Sequence, residues 1–173
     1  MIYIVTHSYR DNDPDPSHTT SGMLKLSSDP VFSVVSLIAY HWKGVIYVGT
    51  GKRFRETFGA FKSVLQKCEV KYSPLFGSEE SRRDTPEEKL VVLSDNEEIS
   101  LEQYMTFADF KGFDAWRILR HLPKGSLILT GRQFCKCLGI ESKSCSVYEI
   151  NPCKKIVACI IAEGVRIRDL SIQ

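Results

Sequence analysis

Three short apolar runs, each unbroken and each ending in a polar or glycine-containing turn, limit what this chain can fold into. They are Ile2-Tyr3-Ile4-Val5, Val45-Ile46-Tyr47-Val48 and Ser126-Leu127-Ile128-Leu129-Thr130. A strand with one wet face alternates apolar and polar residues, whereas a strand apolar at every position has both faces covered. Helical patterns lie between the runs. Asp29-Pro30 reads as an N-cap and first helical position for an apolar helix from Val31 to about Trp42, with Val34, Val35, Leu37 and Ile38 inward. After Val48 a second helix runs from about Arg53 to Gln66, with Phe54, Phe58, Phe61 and Leu65 recurring at helical spacing. Strands alternating with helices, and apolar throughout, predict a three-layer α/β/α sandwich with a mostly parallel sheet.

The remaining segments fill in that plan. Val70 to Leu75 reads as a third strand, and Lys89–Leu93 with Glu98–Leu101 as a hairpin, although the second arm equally suits a helix start. Asp114 opens a helix to His121, Gly131 to Leu138 is a short helix, and strands follow at Ser146–Ile150 and Ile156–Ala162. Tyr9–Ser17 and Gly77–Glu88 are polar or charged loops. No internal repeat and no linker divides the 173 residues, so one domain over 1–173 is expected.

Composition narrows the functional classes. With 43% hydrophobic and 25% charged residues, a net charge of +2 and a pI near 8.2, the chain has no bulk basic surface that would point to nucleic acid. No apolar run approaches the roughly 18 residues of a membrane span, and the N-terminus reads as strand rather than signal peptide. A cytoplasmic protein is expected. Six cysteines then read as free, mostly buried thiols rather than as a disulfide frame. Cys135-x-Cys137 on a helix would diverge and does not have zinc spacing, so neither metal nor cofactor is expected.

The chemistry gathers at three strand-to-helix junctions. Parallel strands bring their carboxyl ends together, and open α/β sheets bind ligands in the crevice outside those ends. The junctions supply Thr6-His7-Ser8, Gly49-Thr50-Gly51-Lys52-Arg53 and Thr130-Gly131-Arg132. Helix N-termini there offer free N–H groups to an anion. A histidine, arginines, glycines and helix ends in one place describe a phosphate pocket. His41 and His121 fall at helix ends, where a cation suits the dipole, and need no other role.

With those residues in view, the chain resembles the histidine phosphatase (phosphoglycerate mutase-like) superfamily. Thr6-His7-Ser8 stands where the family has Arg-His-Gly, and His18-Thr19-Thr20-Ser21-Gly22 where it has Leu-Thr-x-x-Gly. Arg53-Phe54-Arg55-Glu56-Thr57 keeps both ends of the family's Arg-x-x-x-Thr. The resemblance implies a phosphoglycerate mutase-like fold and a site that acts on a phosphoester. His7 would attack the phosphoryl group, Arg53 would clamp it, and a carboxylic acid, Asp11 or Glu79 (with Asp13 and Glu80 as alternatives), would protonate the leaving group. Thr6, Ser8, Arg10, Thr130, Gly131 and Arg132 would complete the phosphate-binding set.

Two departures bear on activity. Thr6 stands in place of an arginine, and Gly131 leaves no side chain where the family has a second histidine. Loss of one oriented donor to a developing oxyanion costs about 2.7–4 kcal/mol, so two losses would nearly abolish turnover. Arg10 or Arg132 is chemically suited to replace the missing charge, because an arginine contacts phosphate bidentately. Two readings follow: a phosphatase working through a phosphohistidine at His7, or an inactive relative that binds a phosphorylated or anionic small ligand, a phosphoprotein or another protein partner.

Overall fold

A computed structural model describes residues 1–7, 30–41, 45–49, 52–65, 68–72, 76, 92–94, 97–98 and 115–171. In chain order its elements are β1 (Ile2–Thr6), α1 (Val31–His41), β2 (Val45–Val48), α2 (Lys52–Leu65), β3 (Glu69–Tyr72), β4 (Val92–Ser94) and β5 (Glu97–Glu98). There follow α3 (Ala115–His121), β6 (Leu127–Thr130), α4 (Arg132–Cys137), β7 (Val147–Asn151), β8 (Ile156–Ala162) and β9 (Val165–Arg166). The expected loops at 9–17 and 77–88 lie outside the described residues.

The three apolar runs are the neighbouring strands at the centre of a seven-stranded sheet of order β3-β2-β6-β1-β7-β8-β9. β3, β2, β6 and β1 are mutually parallel, whereas β7, β8 and β9 add antiparallel pairs beyond β1. The parallel core is the expected one. The antiparallel half follows from short connections: β8 and β9 are joined through Glu163-Gly164 alone, both at positive φ (50° and 78°), as a two-residue hairpin turn requires. β9 had no counterpart in the sequence pattern, because two residues carry no periodicity.

Burial on both faces accounts for the unbroken apolar strands. Along β1, Ile2 and Ile4 enter a cluster with Ile118 and Leu119 of α3 and Phe134 of α4, while Tyr3 and Val5 enter another. That second cluster holds Val34, Val35 and Ile38 of α1 and Phe54, Phe61 and Leu65 of α2. Helices therefore cover both faces, making three layers. Each fully buried side chain of this kind contributes about 1.5–3 kcal/mol. Leu37, expected to be buried, is only partly so, as is Phe58.

Local chemistry sets the helix ends. At α1, the Ser33 N–H donates to the Pro30 carbonyl (3.1 Å), and so does the Ser33 hydroxyl (2.8 Å). Pro30, with φ fixed and no N–H to lose, suits that first turn. α4 closes with Gly139 at φ +77°, its N–H on the Lys136 carbonyl (3.0 Å) and the Ile140 N–H on the Cys135 carbonyl (2.9 Å). This is the left-handed glycine cap that satisfies a helix's last carbonyls.

Part of the expected hairpin is present: β4 pairs antiparallel with β5, so that Glu97–Glu98 is strand, while residues 89–91 and 99–101 lie outside the described residues. The third strand begins one residue early, at Glu69, and is described to Tyr72; residues 73–75 lie outside the described residues.

Candidate functional site

Strand order puts the three junctions side by side. β6 lies between β1 and β2, with Thr6 opposite Thr130 and Val48 opposite Leu129. Beyond the last strand pairs, the His7 N–H donates to the Thr130 carbonyl and the Gly49 N–H to the Leu129 carbonyl, both at 3.1 Å. The connections from the two central strands then part. β1 leads to α1, on the face packed by Tyr3 and Val5, and onward to β2. β6 leads to α4, on the opposite face, and onward to β7. The described helices that follow these two adjacent parallel strands thus lie on opposite faces of the sheet, the arrangement at whose carboxyl edge α/β sheets commonly bind ligands. His7 follows one strand end and Gly131 the other.

His7 is half-buried and held through its backbone from both flanks. Its N–H bonds to Thr130, and its carbonyl accepts from the Cys145 N–H at 2.8 Å. Its ring meets that of Phe54 edge-on, with centroids 5.8 Å apart and planes at 72°, a favourable aromatic geometry. Phe54 comes from the first turn of α2, one place after Arg53, and is 2% exposed. It therefore belongs to the core, as the helical stripe predicted, and also forms a wall of the site, which the stripe did not reveal.

Gly131 completes the triangle. A Cβ at this position would lie 2.9 and 3.0 Å from two Phe54 ring atoms (Cε1 and Cζ) and 3.4 Å from Cδ2 of His7. Its backbone is extended (φ −137°, ψ −166°), so glycine is required here by crowding and not by backbone conformation. The space a side chain at Gly131 would enter is thus filled by a phenylalanine ring.

Two expected phosphate contacts are committed elsewhere. The Thr6 hydroxyl donates to the Lys143 carbonyl (2.6 Å) and accepts from the Ser146 N–H (2.8 Å). The Thr130 hydroxyl donates to the Phe76 carbonyl. Both threonines are buried. They lie on the face of Ile4 and Ile128, and a hydroxyl buried there must find a partner within the protein. They brace the strand ends and offer no hydroxyl proton to an anion.

The charged candidates are placed less completely. Arg53 is the second residue of α2, whose N-terminus opens just beyond Gly49 at the carboxyl edge. Arg132 is exposed at the first position of α4 on the same edge. Thr57 is fully buried on α2. Ser8, Arg10, Asp11 and Glu79 lie outside the described residues, as do the 18–22 turn, Asp13 and Glu80. Sequence reasoning missed Phe54 as a site wall and the 143–146 segment that fastens β1 and His7. Neither carries a signal in residue type, and both are long-range contacts.

None of the six cysteines is in a disulfide. Cys135 is buried and Cys137 exposed, diverging on α4 as their spacing predicted, but Cys153 is exposed as well, so burial is not their common property. Burial raises the Cys135 thiol to about 12, against a smaller lowering by the Ser142 hydroxyl. It belongs to the core and is not a reactive group. Among the described residues no helix is long and apolar enough to cross a membrane.

No family model matches the chain, and no curated protein does. Solved structures do. A mycobacterial protein named hydrolase 1 aligns with a TM-score of 0.51 at 8% identity, over 95% of this chain and 98% of its own. A phosphoglycerate mutase of Plasmodium falciparum aligns at 0.49 and 14% identity, over 87% of this chain and 86% of its own. A mycobacterial glucosyl-3-phosphoglycerate phosphatase aligns at 0.47 and 10%, over 94% and 98%. At these identities the likeness is one of fold. The chain shares with the first of these, over nearly its whole length, an α/β fold whose sheet is parallel at its centre and covered by helices on both faces.

Proposed function

We propose that this protein is a divergent histidine phosphatase that binds the phosphoryl group of a small ligand, or of a phosphoprotein, without efficient turnover. His7 and Arg53 are its principal contacts. Arg132 and Arg10 are the arginines available to make up lost charge, with Ser8 as a further donor. The observation that carries this reading is the contact of Phe54 with Gly131, 2.9 Å from where a side chain would begin. A second imidazole has no room there, and hydrocarbon takes the place of an oriented donor. Such a donor contributes about 2.7–4 kcal/mol to the transition state and less to the bound ground state. Its loss therefore reduces catalysis more than binding. Free thiols accord with a cytoplasmic location.

A second reading keeps slow hydrolysis, and the fixed position of His7 favours it. A backbone held from both flanks presents the imidazole in one place, which is what a nucleophile needs. A ring nitrogen of His7 would attack phosphorus. The ester oxygen would leave with a proton from Asp11 or Glu79, and water would then release phosphate from the histidine.

Calorimetry with inorganic phosphate and assays with an aryl phosphate separate the two. Binding that is lost in His7→Ala and in Arg53→Ala, with no aryl alcohol released, supports the binding function. Turnover, or an acid-labile phosphoprotein abolished in His7→Ala, supports the slow phosphatase instead. A wild-type protein that neither binds phosphate nor releases alcohol overturns both.

A further inference from the structure

The segment after β9 is fastened to the sheet by backbone bonds, one buried leucine and one serine. The Ile167 and Arg168 N–H groups both donate to the Ile160 carbonyl (2.8 and 3.3 Å), carrying the chain along β8. Leu170 is buried in the apolar cluster that contains Tyr3 and Ile160. Ser171 is exposed, yet both its donors go to a single carboxylate. Its N–H donates to Oε2 of Glu149 (2.9 Å) and its hydroxyl to Oε1. Glu149 is 2% exposed, opposite Tyr3 in the β1–β7 pair.

A buried carboxylate is tolerated only when its oxygens are hydrogen-bonded. Here one serine supplies a bond to each. The sequence around it reads Arg166-Ile167-Arg168-Asp169-Leu170-Ser171-Ile172. Arginines three and five residues before a serine, with an apolar residue after it, form the charge pattern that an acidic kinase cleft selects. Arg166 is accessible on the surface, pairing with exposed Asp169 at 3.3 Å.

We infer that Ser171 is a phosphorylation site for an arginine-directed protein kinase, and that phosphate there releases the 167–171 strap. The Ser171 oxygen attacks the γ-phosphorus of a nucleoside triphosphate and an O–P bond forms. The bond to the bridging oxygen breaks, the nucleoside diphosphate leaves with the electron pair, and the hydroxyl proton passes to the kinase's carboxylate base. The product has no hydroxyl donor for Glu149 and sets close to two negative charges against it, which expels the strap by repulsion and desolvation. Leu170 leaves the apolar cluster with it, and Arg166 and Arg168 become free to pair with the phosphate.

The test uses the full chain with ATP and the catalytic subunit of an arginine-directed kinase. Mass spectrometry is expected to find one phosphate at Ser171, absent in Ser171→Ala and strongly reduced in Arg166→Ala/Arg168→Ala. Hydrogen exchange of the product should show the 167–168 and 171 amides exchanging at least about tenfold faster, with the β1 and β6 amides unchanged. Ser171→Glu should loosen the same amides without any kinase. Absence of phosphate at Ser171 overturns the site. Phosphate, or Ser171→Glu, with undisturbed exchange across 167–171 overturns the release.

Discussion

Gly131→Ala tests the crowding at the centre of the site. The added methyl would sit 2.9 and 3.0 Å from Phe54 ring carbons, closer than packed carbon atoms ordinarily come, and 3.4 Å from the His7 ring. Phe54 is buried against α1, α2 and the sheet and has little room to give. Overpacking of this kind costs about 1–3 kcal/mol. Because Gly131 has extended backbone, alanine suffers no strain there and stiffens the unfolded chain, returning about 0.4–1 kcal/mol. The net is a loss of up to about 2.6 kcal/mol, which lowers the melting temperature of a chain this size by up to about 10 °C. Urea unfolding of Gly131→Ala, Phe54→Leu and the double variant measures it as a cycle. Leucine lacks the two offending ring atoms, so in the Phe54→Leu background Gly131→Ala should be neutral or stabilising, giving a coupling of at least about 1 kcal/mol. Additive effects in the double variant would falsify the claim that Phe54 fills the space beside Gly131.

Two other outcomes check neighbouring parts of the structure. Thr6→Val keeps the shape but leaves the Lys143 carbonyl and the Ser146 N–H without the hydroxyl that serves both, and should destabilise by about 1–3 kcal/mol; in urea unfolding, a variant as stable as wild type would mean that those groups find other partners. Burial holds Tyr3 and Tyr47 up to about 12, each with a smaller push from a carboxylate (Glu149 and Glu69), and holds Cys135 at about 12 from its ordinary 9.0. The folded chain keeps these protons after the unfolded chain begins to lose them, so stability is full below about pH 9 and falls as pH rises from 9 towards 12. Native alkylation at pH 8.5 should mark exposed Cys137 and Cys153 and spare Cys135 until denaturant is added, and equal labelling of all three would contradict the burial.

How much of this was legible in the chain varies with the range of the interaction. Val34, Val35 and Ile38, spaced along one turn of helix after another, announced the buried side of α1, and Ile2–Val5 announced a strand covered twice. Those patterns repeat within a few residues, and burial enforces them wherever the element lies. The likeness carried by His7, Arg53 and Thr57 extended this to the fold and to the carboxyl edge as the place for a site. Thr6 and Thr130, expected as anion contacts, have hydroxyl partners that the sequence did not reveal. Their residue type permits that role, but their partners, the Lys143 and Phe76 carbonyls, come from distant parts of the chain.

By itself the sequence determined the alternation of strand and helix, the apolar faces, and the histidine that ends β1. Only the tertiary structure decided what surrounds that histidine. The order β2-β6-β1 brings Gly131 beside His7, and α2 lowers Phe54 between them. No local pattern encodes that meeting, because it depends on two loop closures and a helix packing angle that satisfy the whole core at once. A glycine read as an absence in the chain is, in the fold, a space already taken.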